Sequence, residues 1–214
     1  MYLKILIPLL LLSTQAHADP YPRLPLNIVT VPLEGAPNTR EAKQVFREAH
    51  KKFAEIGINL SLVKVRERFK SYDRGYLPGD DAYWEERYEG IRKNWKNYFR
   101  TRAVKRAVNI AVIPRMQFSD GPKMGGMAAG ICKLPSGGIA FAAVSLQDER
   151  LKKHAPIILA HEIGHVAGAS HTDDWEMSIM NPGPVKWTDA GFDLSFDTES
   201  AESMKECLRR RGYR

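Results

Sequence analysis

The chain has 214 residues, 43% of them hydrophobic and 27% charged, with a formal charge of +7. That length suffices for one good-sized domain with a sizeable core, and no stretch is long and apolar enough to span a bilayer. The surplus of Lys and Arg suits anionic surfaces or acidic substrates without naming a partner; no nucleic acid is expected.

Residues 1–18 read as a secretory signal peptide. Lys4 supplies the positive start, Ile5 to Leu12 the apolar run, and Ala16-His17-Ala18 a small-x-small cleavage site. Cleavage after Ala18 predicts a secreted or periplasmic protein. It would retain 214 less 18, or 196, residues and, without Lys4, a charge of +6. Residues 19–214 are expected to form a single domain and a monomer, with weak association with anionic surfaces allowed by the charge. Leu26 to Val31 reads as a strand. Asn38 then offers a helix cap with Glu41 three residues on, and Ala42, Val45, Phe46, Ala49, Phe53 and Ile56 follow at helical spacing up to Gly57. Ile58 to Val65 alternates as a strand does. The chain therefore opens β-α-β, the pattern of a parallel pair with a helical crossover.

Residues 67–106 read as an atypical insertion. A charged loop over 67–81 leads to an amphipathic helix over 82–106, with Trp84, Tyr88, Ile91, Trp95 and Phe99 on one face and eight basic residues on the other. A solvated basic face is the ordinary reading of that helix; a surface-binding face is the alternative. Val108 to Ile113, Ala128 to Leu134 and Ile139 to Val144 are predicted strands, and Ala155 to Ala167 a helix. Asp197 caps a final helix whose inner side carries Ala201, Met204, Cys207 and Leu208. The two cysteines, Cys132 and Cys207, are most simply a disulfide in an oxidising compartment; two separate buried thiols are the alternative.

The densest chemistry lies in His161-Glu162-Ile163-Gly164-His165-Val166-Ala167-Gly168-Ala169-Ser170-His171. His161 and His165, four apart, share one helix face and can grip one ion. Glu162 points beside that face, where it reaches a water rather than the metal. Gly168 can end the helix in a left-handed turn and bring His171 back as a third ligand. Three neutral nitrogens, one open position and an adjacent base are what zinc-dependent peptide hydrolysis requires, with Glu162 as general base. The motif specifies one catalytic Zn²⁺ and is silent on calcium.

This arrangement resembles the metzincin metalloproteases. The resemblance rests on the motif from His161 to His171, on Ser178-Ile179-Met180-Asn181-Pro182, similar to the metzincin Met-turn, and on the order of elements. It implies an α/β zincin-like fold, with a twisted mixed sheet, an active-site helix and a C-terminal helix, and Met180 bracing the site. Gly126 to Cys132 looks like the cleft-edge strand of the adamalysins (reprolysins), in which a cysteine there bridges to the C-terminal helix, implying a Cys132–Cys207 pair. Matrixins are the second choice. Residues 19–25 are too few for an ordinary blocking pro-segment, so no latency of that kind is expected. The expected activity is endopeptidase cleavage of polypeptide substrates. Two alternatives stand beside it: a catalytically weak zinc-containing binding or inhibitory module, and a secreted surface-binding domain acting through the helix at 82–106.

Overall fold

In β1 (Arg23–Thr30), every residue from Leu26 onward is buried. Burial on both faces belongs to a strand inside a parallel sheet. β1 accordingly pairs in parallel with β2 (Asn59–Glu67) on one side and β3 (Val108–Ile113) on the other. β4 (Gly126–Ala129) and β5 (Phe141–Ser145) complete the sheet, β5 parallel to β3 and β4 antiparallel to β5. The strand order is β2-β1-β3-β5-β4, which leaves β4 at an edge. The computed structural model describes residues 21–30, 38–67, 104, 106–113, 126–129, 132, 141–145, 153–173, 175–191 and 193–213. The expected signal peptide and most of the 67–106 insertion lie outside these residues.

The crossover from β1 to β2 is α1 (Thr39–Glu55), which starts as its sequence dictates. The Asn38 Oδ1 accepts from the N–H groups of Arg40 (2.9 Å) and Glu41 (3.0 Å), and Glu41 Oε2 accepts from the Asn38 N–H (2.8 Å). These bonds satisfy donors the helix itself leaves open. Ala42, Phe46, Ala49 and Phe53 face the core, and Gly57, at φ +72, turns the chain into β2. β2 carries an irregularity: Leu26 pairs with Leu62 and Asn27 with Lys64, which leaves Val63 as the extra residue, 53% exposed. The bulge shifts the inward phase from Ile58, Leu60 and Leu62 to Val65.

α2 (Ala155–Ala167) lies against β4 and β5, α1 lies against β1 and β2, and the two helices touch, so they cover one face of the sheet. Ten of the thirteen residues of α2 are buried, because α3 (Pro184–Asp189) and α4 (Thr198–Arg210) also pack on it. At the centre of the sheet Asn27 Nδ2 donates to Asn109 Oδ1 (2.8 Å), and the same oxygen accepts the Val104 N–H (2.9 Å). Asn109 thereby pins the chain entering β3.

Three expectations need correction. The strand predicted over Ala128 to Leu134 ends at Ala129, and Cys132 lies beyond it. Cys132 is drawn off by its disulfide to Cys207 (Cα–Cα 5.9 Å), and its carbonyl accepts from Arg211 Nη2 (3.1 Å). The helix predicted to 106 does not reach Val104 or Arg106, which form a turn with Arg106 at φ +59. The strand predicted to start at Leu26 already begins at Arg23.

Candidate metal centre

His161 and His165 ride on α2, one turn apart, and the helix stops at Gly168. Gly168 takes φ +110, and its N–H and that of Ala169 close back onto the carbonyls of His165 and Gly164. A side chain at Gly168 would be strained by that φ and would also meet the disulfide, at 3.0 Å from Cys207 Cβ and 3.3 Å from either sulfur. The turn it makes returns His171, so that the three Nε2 atoms converge: His161–His165 3.0 Å, His165–His171 3.0 Å and His161–His171 3.3 Å. Tetrahedral coordination with metal–nitrogen bonds of 2.0–2.1 Å sets nitrogen pairs ~3.4 Å apart. The cluster is thus close to the size of a zinc site.

The hydrogen bonds on the far side of two rings fix their chemistry. His161 Nδ1–H donates to the Ile179 carbonyl (2.7 Å) and His165 Nδ1–H to the Ala169 carbonyl (3.0 Å). With the protons there, both Nε2 atoms present bare lone pairs to each other, an arrangement a cation relieves. Burial pushes the His161 pKa down to about 3, helped by the neighbouring His165, so that imidazole is neutral, the ligating form. Glu162, 5% exposed, is pushed up to about 8 by the same desolvation. A divalent cation beside it acts in the opposite sense, favouring the carboxylate.

The turn after the third histidine braces the cluster from below. Met180 is fully buried, and a Cβ built on Gly164 would lie 2.5 Å from its sulfur, so the methionine packs against α2 at the glycine that precedes His165. Ser178 Oγ accepts the Met180 N–H (3.1 Å) and donates to Asp197 (2.7 Å), which itself caps α4 by accepting the Ser200 N–H (2.7 Å). Ile179 N–H bonds the Ser195 carbonyl (2.9 Å). The turn is therefore tied to the start of α4, and the far part of α4 is tied through Cys207 to Cys132.

Sequence reasoning singled out His161, Glu162, His165, Gly168, His171 and Met180, and the structure brings them to one place. It missed three residues. Gly164 makes room for Met180; a glycine inside a helix is the signal that could have flagged it. Asn181, fully buried, holds the segment after His171. His154, 1% exposed at the start of α2, bonds Asp189 at the end of α3 (2.6 Å), and its Nδ1 has no partner among the described residues. Nothing in the sequence joins Asp189 to His154.

The sheet, the ligand helix and the turn together define the zincin-like metallopeptidase fold. Two solved structures share it. Metalloproteinase-II from Bacteroides fragilis superimposes with a TM-score of 0.57 at 18% identity, over 90% of this chain and 55% of its own. Archaemetzincin from Methanopyrus kandleri gives 0.58 at 15% identity, over 88% of this chain and 97% of its own. The chain thus spans little more than half of the Bacteroides protein. No family model and no curated protein matches the sequence.

Proposed function

We propose that the protein is an exported zinc-dependent endopeptidase of the metzincin type, in which His161, His165 and His171 hold one Zn²⁺. The observation that carries this reading is the convergence of three Nε2 atoms at 3.0–3.3 Å with two of the rings oriented by backbone carbonyls. When bound, zinc supplies a Lewis acid that polarises a carbonyl and makes water a stronger acid. Glu162, next to His161, accepts the proton of the attacking water and returns it to the leaving amine. Among the described strands β4 lies at the edge of the sheet, and an extended peptide adds to an edge strand through main-chain hydrogen bonds. The segment Gly183 to Asp189, held to α2 through His154, walls the pocket for the side chain beyond the cut.

The Cys132–Cys207 bridge between the β4 side and α4 supports the adamalysin-like branch, and it agrees with export through the leader at 1–18. The protein acts as a monomer on polypeptides, with weak association with anionic surfaces. Incubating it with a mixed peptide library, with and without chelator, and reading the cuts by mass tests the activity. Glu162→Ala should keep the metal and lose turnover; cleavage retained by that variant would remove Glu162 from its role.

A further inference from the structure

His171 differs from its two companions in how it is held. His161 and His165 belong to α2, whose ladder fixes their backbones. His171 lies outside any helix or strand and is exposed. From upstream it is delivered by the Gly168 turn. From downstream, the Thr172 N–H donates to the Met180 carbonyl (3.1 Å). Two further bonds run to one side chain. Asn181 Nδ2 donates to the carbonyls of Asp173 (3.2 Å) and Glu176 (2.9 Å), and Asn181 Oδ1 accepts the Gly183 N–H (2.8 Å). Both amide protons go to the segment following His171, while the oxygen holds the chain after the Met-turn. Asn181 is completely buried, so water does not compete for these bonds.

We propose that Asn181 is a positioning residue for the third ligand: its amide clamps Asp173 and Glu176 to the Met180 turn and so sets where His171 Nε2 lies. The proposal rests on the reading of His161, His165 and His171 as metal ligands. A side chain that served only to fill the turn would need neither amide proton. Aspartate is the discriminating replacement, because it has nearly the same shape. It keeps an acceptor for Gly183 but sets oxygen against the Asp173 and Glu176 carbonyls, so both clamping bonds are lost.

The test uses the full chain as wild type, Asn181→Asp, Asn181→Ala and, as a control, Ile58→Val. Ile58 is buried between the end of α1 and the start of β2, and its backbone N–H bonds Phe53 of α1. Each protein is stripped with chelator and titrated with Co²⁺, reading the visible ligand-field bands, and then with competing Zn²⁺. The wild type should give the intense bands of a tetrahedral site. Both Asn181 variants should show altered bands and a zinc Kd raised about tenfold, the lower end of what outer-shell changes cost. Ile58→Val should lower the thermal midpoint and leave bands and Kd unchanged. Wild-type bands and a Kd within about twofold in both Asn181 variants would overturn the proposal while the metal reading stands. Absence of Co²⁺ and Zn²⁺ binding in the wild type would overturn both. Loss of the fold in both Asn181 variants, read by circular dichroism, would reduce Asn181 to a structural role and equally overturn the proposal.

Discussion

Gly164→Ala puts one methyl group at the most crowded point of the centre. Its Cβ would lie 2.5 Å from Met180 Sδ, against an ordinary contact of roughly 3.5–4 Å, so the sulfur must retreat by about 1 Å or more. The new methyl group is also 3.3 Å from Met180 Cε and from Phe196 Cε1, so it cannot shift aside without a further clash, and Met180, with no exposed surface, has no solvent to move into. Overpacking of this kind costs about 1–3 kcal/mol. Alanine also gains about 1 kcal/mol over glycine in a helix, which offsets part of the loss. The net expectation is destabilisation by up to about 2 kcal/mol. A second effect is larger in consequence. Moving Met180 disturbs the adjacent Ile179 carbonyl, which orients His161, and zinc affinity should fall about tenfold or more. Urea unfolding in chelator measures the first effect, and zinc competition titration the second. A variant that is about 1 kcal/mol more stable and binds zinc as the wild type does would refute the account, because only helix propensity would then have been felt.

Glu162→Gln should stabilise the chelated protein at alkaline pH. A carboxyl raised from 4.5 unfolded to about 8 folded contributes stability that is full below the lower value and is lost as pH rises through the upper one, so its removal gains up to roughly 5 kcal/mol by pH 8 to 9. Urea melts from pH 5 to 9 in chelator check this; a pH-independent difference counts against it. Gly168→Ala should cost at least about 1–2 kcal/mol from its positive φ alone, with more from the clash at Cys207, and should weaken zinc binding; unchanged binding would show that the turn does not control His171. Replacing Cys132 and Cys207 together by serine should lower stability by about 4 kcal/mol, the chain-entropy value for a closed loop spanning 75 residues, measurable by thermal unfolding against the oxidised wild type.

What could be read in advance was local. The Asn38 box, the Gly57 stop and the Gly168 turn each depend on a few neighbouring residues and their backbone angles, and the structure has them in place. The spacing of His161, His165 and His171 is local in the same sense, because one helix and one turn generate it. The features that escaped depend on distant partners. Val63 bulges only in register with Leu26 and Asn27, some thirty-six residues earlier. Cys132 leaves the sheet because α4 holds it. Asn181 and Gly164 look like an ordinary turn residue and an ordinary weak helix residue until Asp173, Glu176 and Met180 come against them. Asn181 stands in the segment that resembles the Met-turn, but that resemblance does not say which carbonyls its amide will find.

The two carbonyls that orient His161 and His165 belong to the main chain of Ile179 and Ala169. A carbonyl has no codon of its own. Point substitution at either position changes what hangs from the backbone but cannot delete the acceptor, provided the chain keeps its path. Ring orientation is thereby shielded from most mutational drift, in a way that a carboxylate partner would not be. Three supports of the arrangement carry heritable identity that could be lost in a single step: Gly168, which turns the chain, Gly164, which leaves room for Met180, and Asn181, which bonds the segment after His171. Substitutions elsewhere in the chain can therefore accumulate while both acceptors stay in place.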